Sequence, residues 1–244
     1  YKLPIGGTAV GTGLNASPEL AGEVAHKLSD AYKVPFTAKD NKFAGLAAHS
    51  GLNITHGAMK TLAADLIKIA NDVRFLASGP RAGYSELKIP ANEPGSSIMP
   101  GKVNPTQAEA ITMASAKVLG NDTTISFASS QGNFEMNVYK PVIIATFLDS
   151  AEILTGTVMG FADKLIHGLE VNDAHMKEFV DKSLMTVTAL SPHIGYHSSA
   201  KIAQLADREG ITLREAAIES KEVSAEDFDK WVIPLAMTNI DSKM

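Results

Sequence analysis

Residues 60–76 read KTLAADLIKIANDVRFL, and this stretch sets the fold class of the 244-residue chain. Its apolar residues recur at intervals of 4, 3, 4 and 3 positions, which is the spacing of residues on one face of an α-helix. Charged residues lie between them on the other face. The pattern predicts a long amphipathic helix with one apolar stripe, made of Leu62, Leu66, Ile69, Val73 and Leu76.

A second apolar stripe follows the same spacing further along the chain. It begins just after Pro141, a residue type that is favoured in the first turn of a helix. The stripe continues for about six turns, and a run of this length is typical of helices that pack side by side in a bundle. Its members are Ile144, Phe147, Ala151, Leu154, Val158, Phe161 and Leu165.

A third helix is predicted to begin after Asn104 and Pro105. Asn104 is expected to act as its N-cap, and Gln107, three residues later, is expected to complete a capping box. Gly120 and Asn121 are expected to end the helix. The apolar face between these limits consists of Ala108, Ile111, Ser115 and Val118.

The flanking segments also indicate helices rather than strands. Ser17 and Pro18 predict the start of a helix that runs to Lys33. After about residue 172 the predicted helices become short, at 173–181, 192–209, 212–219 with a capping box, and 224–231. The fold class is therefore all-α, with a long-helix bundle in residues 1–173 and a small C-terminal helical domain in residues 174–244.

The composition excludes several classes of function. The 22 basic and 27 acidic residues give a formal charge of −5, which argues against a nucleic-acid partner. The chain has no cysteine, so disulfides, thiolate metal sites and a cysteine nucleophile are excluded. The longest uncharged stretches, residues 43–59 and 183–200, are interrupted by Gly, His, Ser or Pro, so we predict no membrane span.

Neither a nucleotide site nor a metal site is predicted. Residues 11–16 have the glycine spacing of a dinucleotide-binding loop, but no parallel strand precedes them. Residues 95–103 lack the spacing of a phosphate-binding P-loop, and Val103 stands where that motif needs Ser or Thr. Of the seven histidines only His193 and His197 have the helical spacing of a metal pair, and no HExxH motif surrounds them. We expect surface or packing roles for the histidines.

Residues 92–104 form a polar loop that ends at a predicted helix N-terminus. Backbone N–H groups, the helix dipole and Lys102 favour the binding of a carboxylate in such a loop. The same positive field would lower the cost of an alkoxide on Ser96 or Ser97. Glu109 follows about one turn into the helix and could approach the same site. A solvated surface turn and a solvated helix carboxylate are the alternatives at this point.

The stretch GSSIMPGKVNP at residues 95–105 closely resembles the signature loop of the fumarase/aspartase superfamily. Residues 5–15, 132–141 and 189–196 extend the resemblance over essentially the whole chain, and they are most similar to class II fumarate hydratases. Residues 106–109 and 133–135 resemble the hydratases more than the aspartases. The resemblance implies a homotetramer of long helices with active sites shared among three subunits, a fumarate or L-malate substrate, and no metal or organic cofactor.

The resemblance also implies a role for individual residues. Ser96 would be the base that removes the C3 proton of malate, and Lys102 would stabilise the resulting aci-carboxylate. Glu109 would hold a catalytic histidine that protonates the departing hydroxyl through water, and the family carries this histidine in a segment that precedes the present stretch. Contacts to substrate carboxylate are implied for Ser97, Lys102, Asn104 and the backbone of Val103.

Two other functions stay open. One is an ammonia lyase that acts on L-aspartate with the same loop, and the other is a catalytically silent, crystallin-like helical scaffold. The presence of Ser96, Lys102 and Glu109 argues against the scaffold. The chain begins with Tyr1, without an initiator Met or a visible signal peptide. The resemblance implies the C-terminal part of an enzyme that is cytoplasmic, or mitochondrial in a eukaryote. We expect this part to be inactive alone, because the family's catalytic histidine is not in it.

Overall fold

Helices make up most of the chain in the computed structural model, which describes residues 1–238. In chain order they are α1 Leu20–Tyr32, α2 Lys42–Ala47, α3 Ser50–Leu76, α4 Thr106–Ser129, α5 Lys140–Lys164, α6 Asp173–Lys182, α7 Ser191–Ile194, α8 Tyr196–Glu209, α9 Leu213–Ser220 and α10 Ala225–Trp231. Short 3₁₀ turns cover Ile166–Gly168, Leu184–Ala189 and Pro234–Met237. The all-α class predicted from the sequence is confirmed.

The strands in the described residues are only two residues long. β1 (Lys2–Leu3) lies parallel to β2 (Thr37–Ala38), with Lys2 opposite Thr37. β3 (Leu87–Lys88) lies antiparallel to β4 (Glu170–Val171), with Leu87 opposite Val171.

The described chain forms two compact units. The first consists of residues 1–78 and 89–169, and it holds α1 to α5 with the whole loop 92–104. The second consists of residues 79–88 and 170–238, with the short helices α6 to α10. Residues 79–88 belong to the second unit because β3 pairs with β4, a long-range contact that local periodicity does not reveal.

The helix α4 is longer than the sequence predicts. It does not end at Gly120 and Asn121 but continues to Ser129. Glycine in a helix interior costs about 1 kcal/mol relative to alanine, and here the following turn compensates by packing into the bundle. Ile125 is fully buried, and Asp122 is 6% exposed. The buried face of α4 includes the whole predicted stripe, Ala108, Ile111, Ser115 and Val118, followed by Asp122, Ile125 and Ala128.

The predicted stripe of α3 is only partly buried. Leu62 and Ile69 are each 48% exposed, whereas Ala63 and Ala70 are completely buried. The small alanine side chains let α3 approach its neighbours closely, and Leu66 packs on the same face. The contact face is therefore rotated towards the alanines, because close approach of two helices favours small side chains over large ones.

The stripe predicted for α5 agrees better with the structure. Leu154, Phe161 and Leu165 are buried, although Ile144 is 43% exposed. Pro141 lies in the first turn, as expected. By length and mean hydropathy (1.5), residues Lys140–Gly168 would be able to cross a membrane, a test that core helices of helical bundles also pass.

In the second unit, the helix predicted at 192–209 is broken into α7 and α8. Gly195 separates them with a φ of 80°, a conformation that favours glycine. The capping box predicted at Thr212 is confirmed, since the Thr212 side chain accepts from the Glu215 N–H and the Glu215 side chain accepts from the Thr212 N–H. The core of this unit includes Leu190, Ile202, Leu213 and Phe228.

We expect Thr212→Ala to lower the free energy of unfolding by about 1 kcal/mol, because it leaves a helix N-terminal N–H without its acceptor. Denaturant unfolding of the full-length protein would measure this. Thr188→Ala is the matched control, since Thr188 is exposed and its hydroxyl donates only to the Met185 carbonyl; it should change the same quantity by less than about 0.5 kcal/mol. Equal effects would argue against the cap.

Candidate active site

The loop 92–104 folds back on itself at Gly95. A Cβ atom on Gly95 would lie 1.8 Å from the carbonyl oxygen of Lys102, so only glycine fits there. The side-chain amide of Asn104 donates to the Gly95 carbonyl oxygen and fastens the base of the loop. Gly101 has a φ of 79°, which completes the reversal of the chain. The loop is thus a ring closed at its base, with residues 96–101 at its tip.

The hydroxyl of Ser96 faces two backbone amides. Its Oγ accepts from the N–H groups of Ile98 and Met99, each at 3.2 Å. Ser96 is half-buried. Because both donors already point at this oxygen, negative charge on it would be stabilised without rearrangement of the loop.

The other predicted site residues lie in the loop and on the first turn of α4. Ser97, Lys102, Val103 and Glu109 are exposed, and Asn104 is half-buried. Within residues 1–238, the Lys102 ammonium and the Glu109 carboxylate have no hydrogen-bond or ion-pair partner. The helix N-terminus adds its partial positive charge to that of Lys102. An exposed cation and a helix N-terminus favour the binding of an anion, and an exposed carboxylate can accept a hydrogen bond from a protonated group.

The predicted cap by Asn104 is wrong. The N-cap of α4 is Pro105, which forms no side-chain cap, and the Asn104 amide is used inside the loop instead. Gln107 does not complete a capping box, because its Oε1 accepts from the side chain of Asn92 at 3.1 Å. Closing the loop at Gly95 takes the Asn104 side chain away from the helix end.

Residues 132–140, which also carry the family resemblance, form a tight turn before α5. Gly132 has a φ of 94°, and a Cβ atom there would lie 2.3 Å from the Met136 carbonyl oxygen. Asn133 pairs with Met136 across the turn. The turn leaves Phe134 94% exposed.

Lys140 begins α5 directly after this turn. Its ammonium donates to the carbonyl oxygens of Leu46 and Asn137, and burial lowers its pKa.

Sequence reasoning missed a polar cluster inside the bundle. His56 on α3 and Ser150 on α5 are completely buried, and Asp122 on α4 is nearly so. His56 Nδ1 donates to Asp122 Oδ1 at 3.0 Å, and His56 Nε2 accepts from the Ser150 hydroxyl at 2.8 Å. The carboxylate cannot donate, so these contacts set the tautomer of the ring. One signal could have revealed the cluster: each of the three helices has a polar residue on its buried face.

Two further side chains complete this cluster. Lys60 donates to Asp122 Oδ2 at 2.6 Å, and Asn121 donates to the Ser150 oxygen at 2.8 Å. Burial alone would raise the pKa of Asp122, but the hydrogen bonds and charges of Lys60 and His56 outweigh it, so the pKa lies below its ordinary value. Hydrogen bonds link Ser150 to His56 and His56 to Asp122, as in the catalytic triad of a serine hydrolase. Complete burial of the serine excludes nucleophilic attack on a substrate in this conformation.

His193 and His197, which have the helical spacing of a metal pair, are not on one helix in the structure but on α7 and α8. Within residues 1–238 no group of three or more His, Asp or Glu side chains is arranged to hold a metal ion. The ring of His193 stacks on Trp231 at 4.0 Å between centroids, which is a packing role.

Comparison with known proteins identifies the relatives of this chain. Residues 1–120 match a family model described as Lyase, and residues 187–239 match one described as Fumarase C C-terminus. Fumarate hydratase class II of Listeria monocytogenes is 58% identical over 98% of this chain and 52% of its own length. The chain thus spans about half the length of the curated relatives it matches.

Solved structures agree with the sequence relatives. A class II fumarase from Schistosoma mansoni superposes with a TM-score of 0.92 at 45% identity, covering 97% of this chain and 52% of that one. A fumarate lyase:delta crystallin structure from Brucella melitensis gives 0.89 at 36% identity, covering 97% and 51%. The loop 92–104 and the bundle that carries it therefore have close counterparts: over nearly its whole length the chain is similar to about half of each class II fumarase, and its residues 187–239 match the C-terminus of fumarase C.

Proposed function

We propose that the full-length protein is a fumarate hydratase that interconverts fumarate and L-malate. The observation that carries the proposal is the Ser96 hydroxyl, which accepts hydrogen bonds from two loop amides. The same loop carries Lys102, whose ammonium has no partner among residues 1–238. The 58% identity to the Listeria monocytogenes hydratase supports the same substrate.

In the dehydration direction, Ser96 acts as the base. Its alkoxide, stabilised by the Ile98 and Met99 amides, takes the proton from C3 of malate and becomes a hydroxyl. The electron pair moves into the adjacent carboxylate, giving an aci-carboxylate with extra negative charge. Lys102 favours this intermediate over the ground state because its charge is fixed before the reaction.

The second half of the reaction expels the hydroxyl from C2. The electron pair returns from the aci-carboxylate to form the double bond, while the C2–O bond breaks and water leaves. The proton for this water comes through a second water from a histidine in the preceding segment, held by Glu109. Ser97, Asn104 and the backbone of Val103 hold the substrate carboxylate.

We propose further that the protein is a homotetramer in which three subunits build each active site, without a metal or organic cofactor, in the cytoplasm or, in a eukaryote, the mitochondrion. Large apolar side chains exposed on the long helices support additional subunits. They include Leu62, Ile69, Met113, Phe127, Leu148 and Met159. The isolated 244-residue chain should therefore be inactive.

The test measures fumarate absorbance with L-malate and, separately, L-aspartate, using the full-length protein with its intact mass recorded. Malate turnover supports the proposal, and turnover of aspartate alone would make the protein an ammonia lyase. Inactivity with both substrates, from an intact tetramer, would leave a silent scaffold. Turnover by the isolated chain would contradict the shared site.

A further inference from the structure

Asn92 joins the start of the loop to two helices. Its side-chain Nδ2 donates to the carbonyl oxygen of Lys164 at 2.6 Å and to Gln107 Oε1 at 3.1 Å. A primary amide has two N–H donors, so both are used. The acceptors lie on different elements, Lys164 at the end of α5 and Gln107 in the first turn of α4.

Both acceptors belong to helices of the first unit, which also contains the loop. Lys164 is the last residue of α5, where backbone carbonyls lack donors from their own helix, so its oxygen is a fixed acceptor. Gln107 lies two residues before Glu109 on α4. Asn92 thus ties the incoming side of the loop, three residues before Gly95, to the helix that carries Glu109.

The outgoing side of the loop has its own anchor in Asn104, which donates to Gly95. Together the two asparagines hold residues 92, 95 and 104 and leave residues 96–101 as the tip. Asn92 itself is exposed, and a typical intramolecular hydrogen bond adds only about 1 kcal/mol to stability. Its contacts therefore matter for placement more than for folding.

We propose that Asn92 is a positioning residue that sets the distance of Ser96 from the substrate. This inference rests on the proposed hydratase function. A displacement of about 1 Å in a catalytic group can cost about 100-fold in rate, so loss of the anchor lowers kcat. Substrate affinity depends on Lys102, Ser97 and Asn104 and changes little.

The experiment compares Asn92→Ala with the parent full-length protein in malate dehydration, with rates normalised to folded tetramer. The variant should lose about 100-fold in kcat with KM within about twofold of the parent. The isotope effect on kcat with malate deuterated at C3 should increase, since proton removal becomes slower relative to product release. A purely structural defect would lower the folded fraction and leave this isotope effect unchanged.

Two variants separate the two contacts. Asn92→Asp removes the donor to Lys164 but keeps a bond to Gln107, whose amide can rotate and donate. Gln107→Ala removes only the second contact. The matched control is Asn172→Ala, which deletes an equivalent asparagine bond, to the Ser85 carbonyl at 2.8 Å, within the second unit. We expect Asn92→Asp and Gln107→Ala each to lose part of kcat, and the control to lose none.

The outcomes distinguish this inference from the function on which it rests. If the parent turns over neither malate nor fumarate, the proposed function fails. If the parent is active and Asn92→Ala keeps kcat within twofold, or raises KM alone, the positioning role is wrong. An equal loss of kcat in Asn172→Ala would also overturn it.

Discussion

Ser96→Ala in the full-length protein should lower kcat for malate dehydration by about 100- to 10,000-fold, the range typical of a general acid or base. The variant should fold like the parent, because the Ser96 oxygen bonds only to two amides of its own loop. Initial rates of fumarate formation at saturating malate measure the effect, and thermal unfolding checks the fold.

The matched control is the adjacent serine. Ser97 is exposed and is proposed to hold substrate carboxylate, so Ser97→Ala should raise KM more than it lowers kcat. Lys102 would remain in place in both variants. If Ser96→Ala retained more than a tenth of the parent kcat, or if the two serine variants behaved alike, Ser96 would not be the base.

Asp122→Ala should lower the free energy of unfolding by about 3 kcal/mol at pH 7, because it breaks a buried charge network and leaves the His56 N–H without an acceptor. Lys60 is 47% exposed and can turn to water, so we expect the lower end of the range for such pairs. Denaturant unfolding of the full-length protein measures the difference from the parent.

The effect should depend on pH in a defined direction. The folded-state pKa of Asp122 lies below its unfolded value, which is about 3.9. The contribution is therefore fully present above about pH 4 and is lost as the pH falls through the folded-state pKa. The difference between parent and Asp122→Ala should stay constant from pH 7 to about pH 5 and shrink below about pH 4.

Asp72→Ala serves as the control for this variant. Asp72 pairs with Lys68 on the surface of α3, where both side chains are more than half exposed. Surface pairs contribute about 0 to 1 kcal/mol, so the control should lose less than 1 kcal/mol. Equal losses in the two variants would show that burial of Asp122 adds nothing.

The local sequence pattern predicted the helices, but it did not predict their exact ends or which of their faces are buried. The apolar spacing in α5 and the capping box at Thr212 predicted the observed elements. The prediction for α4 ended at Gly120 and Asn121, which are typical helix-ending residues, whereas the buried face continues through Asp122 and Ile125. In α3, alanines rather than the larger Leu62 and Ile69 face the neighbouring helices.

For the candidate site, the sequence motif identified the loop but not its internal bonds. The role of Asn104 as a cap was a reasonable local prediction, since asparagine is a preferred N-cap residue. In the structure its amide bonds to Gly95 instead. Asn92 was not singled out, because its two acceptors lie 15 and 72 residues away.

The sequence by itself determined the all-α class, the family resemblance and the candidate residues Ser96, Lys102 and Glu109. Periodicity and motif spacing are properties of neighbouring residues, so one chain read in order is enough to find them. Only the tertiary structure decided which polar groups meet. The cluster of His56, Asp122 and Ser150 joins residues 66 and 94 positions apart, and such contacts depend on how whole helices pack rather than on any local pattern.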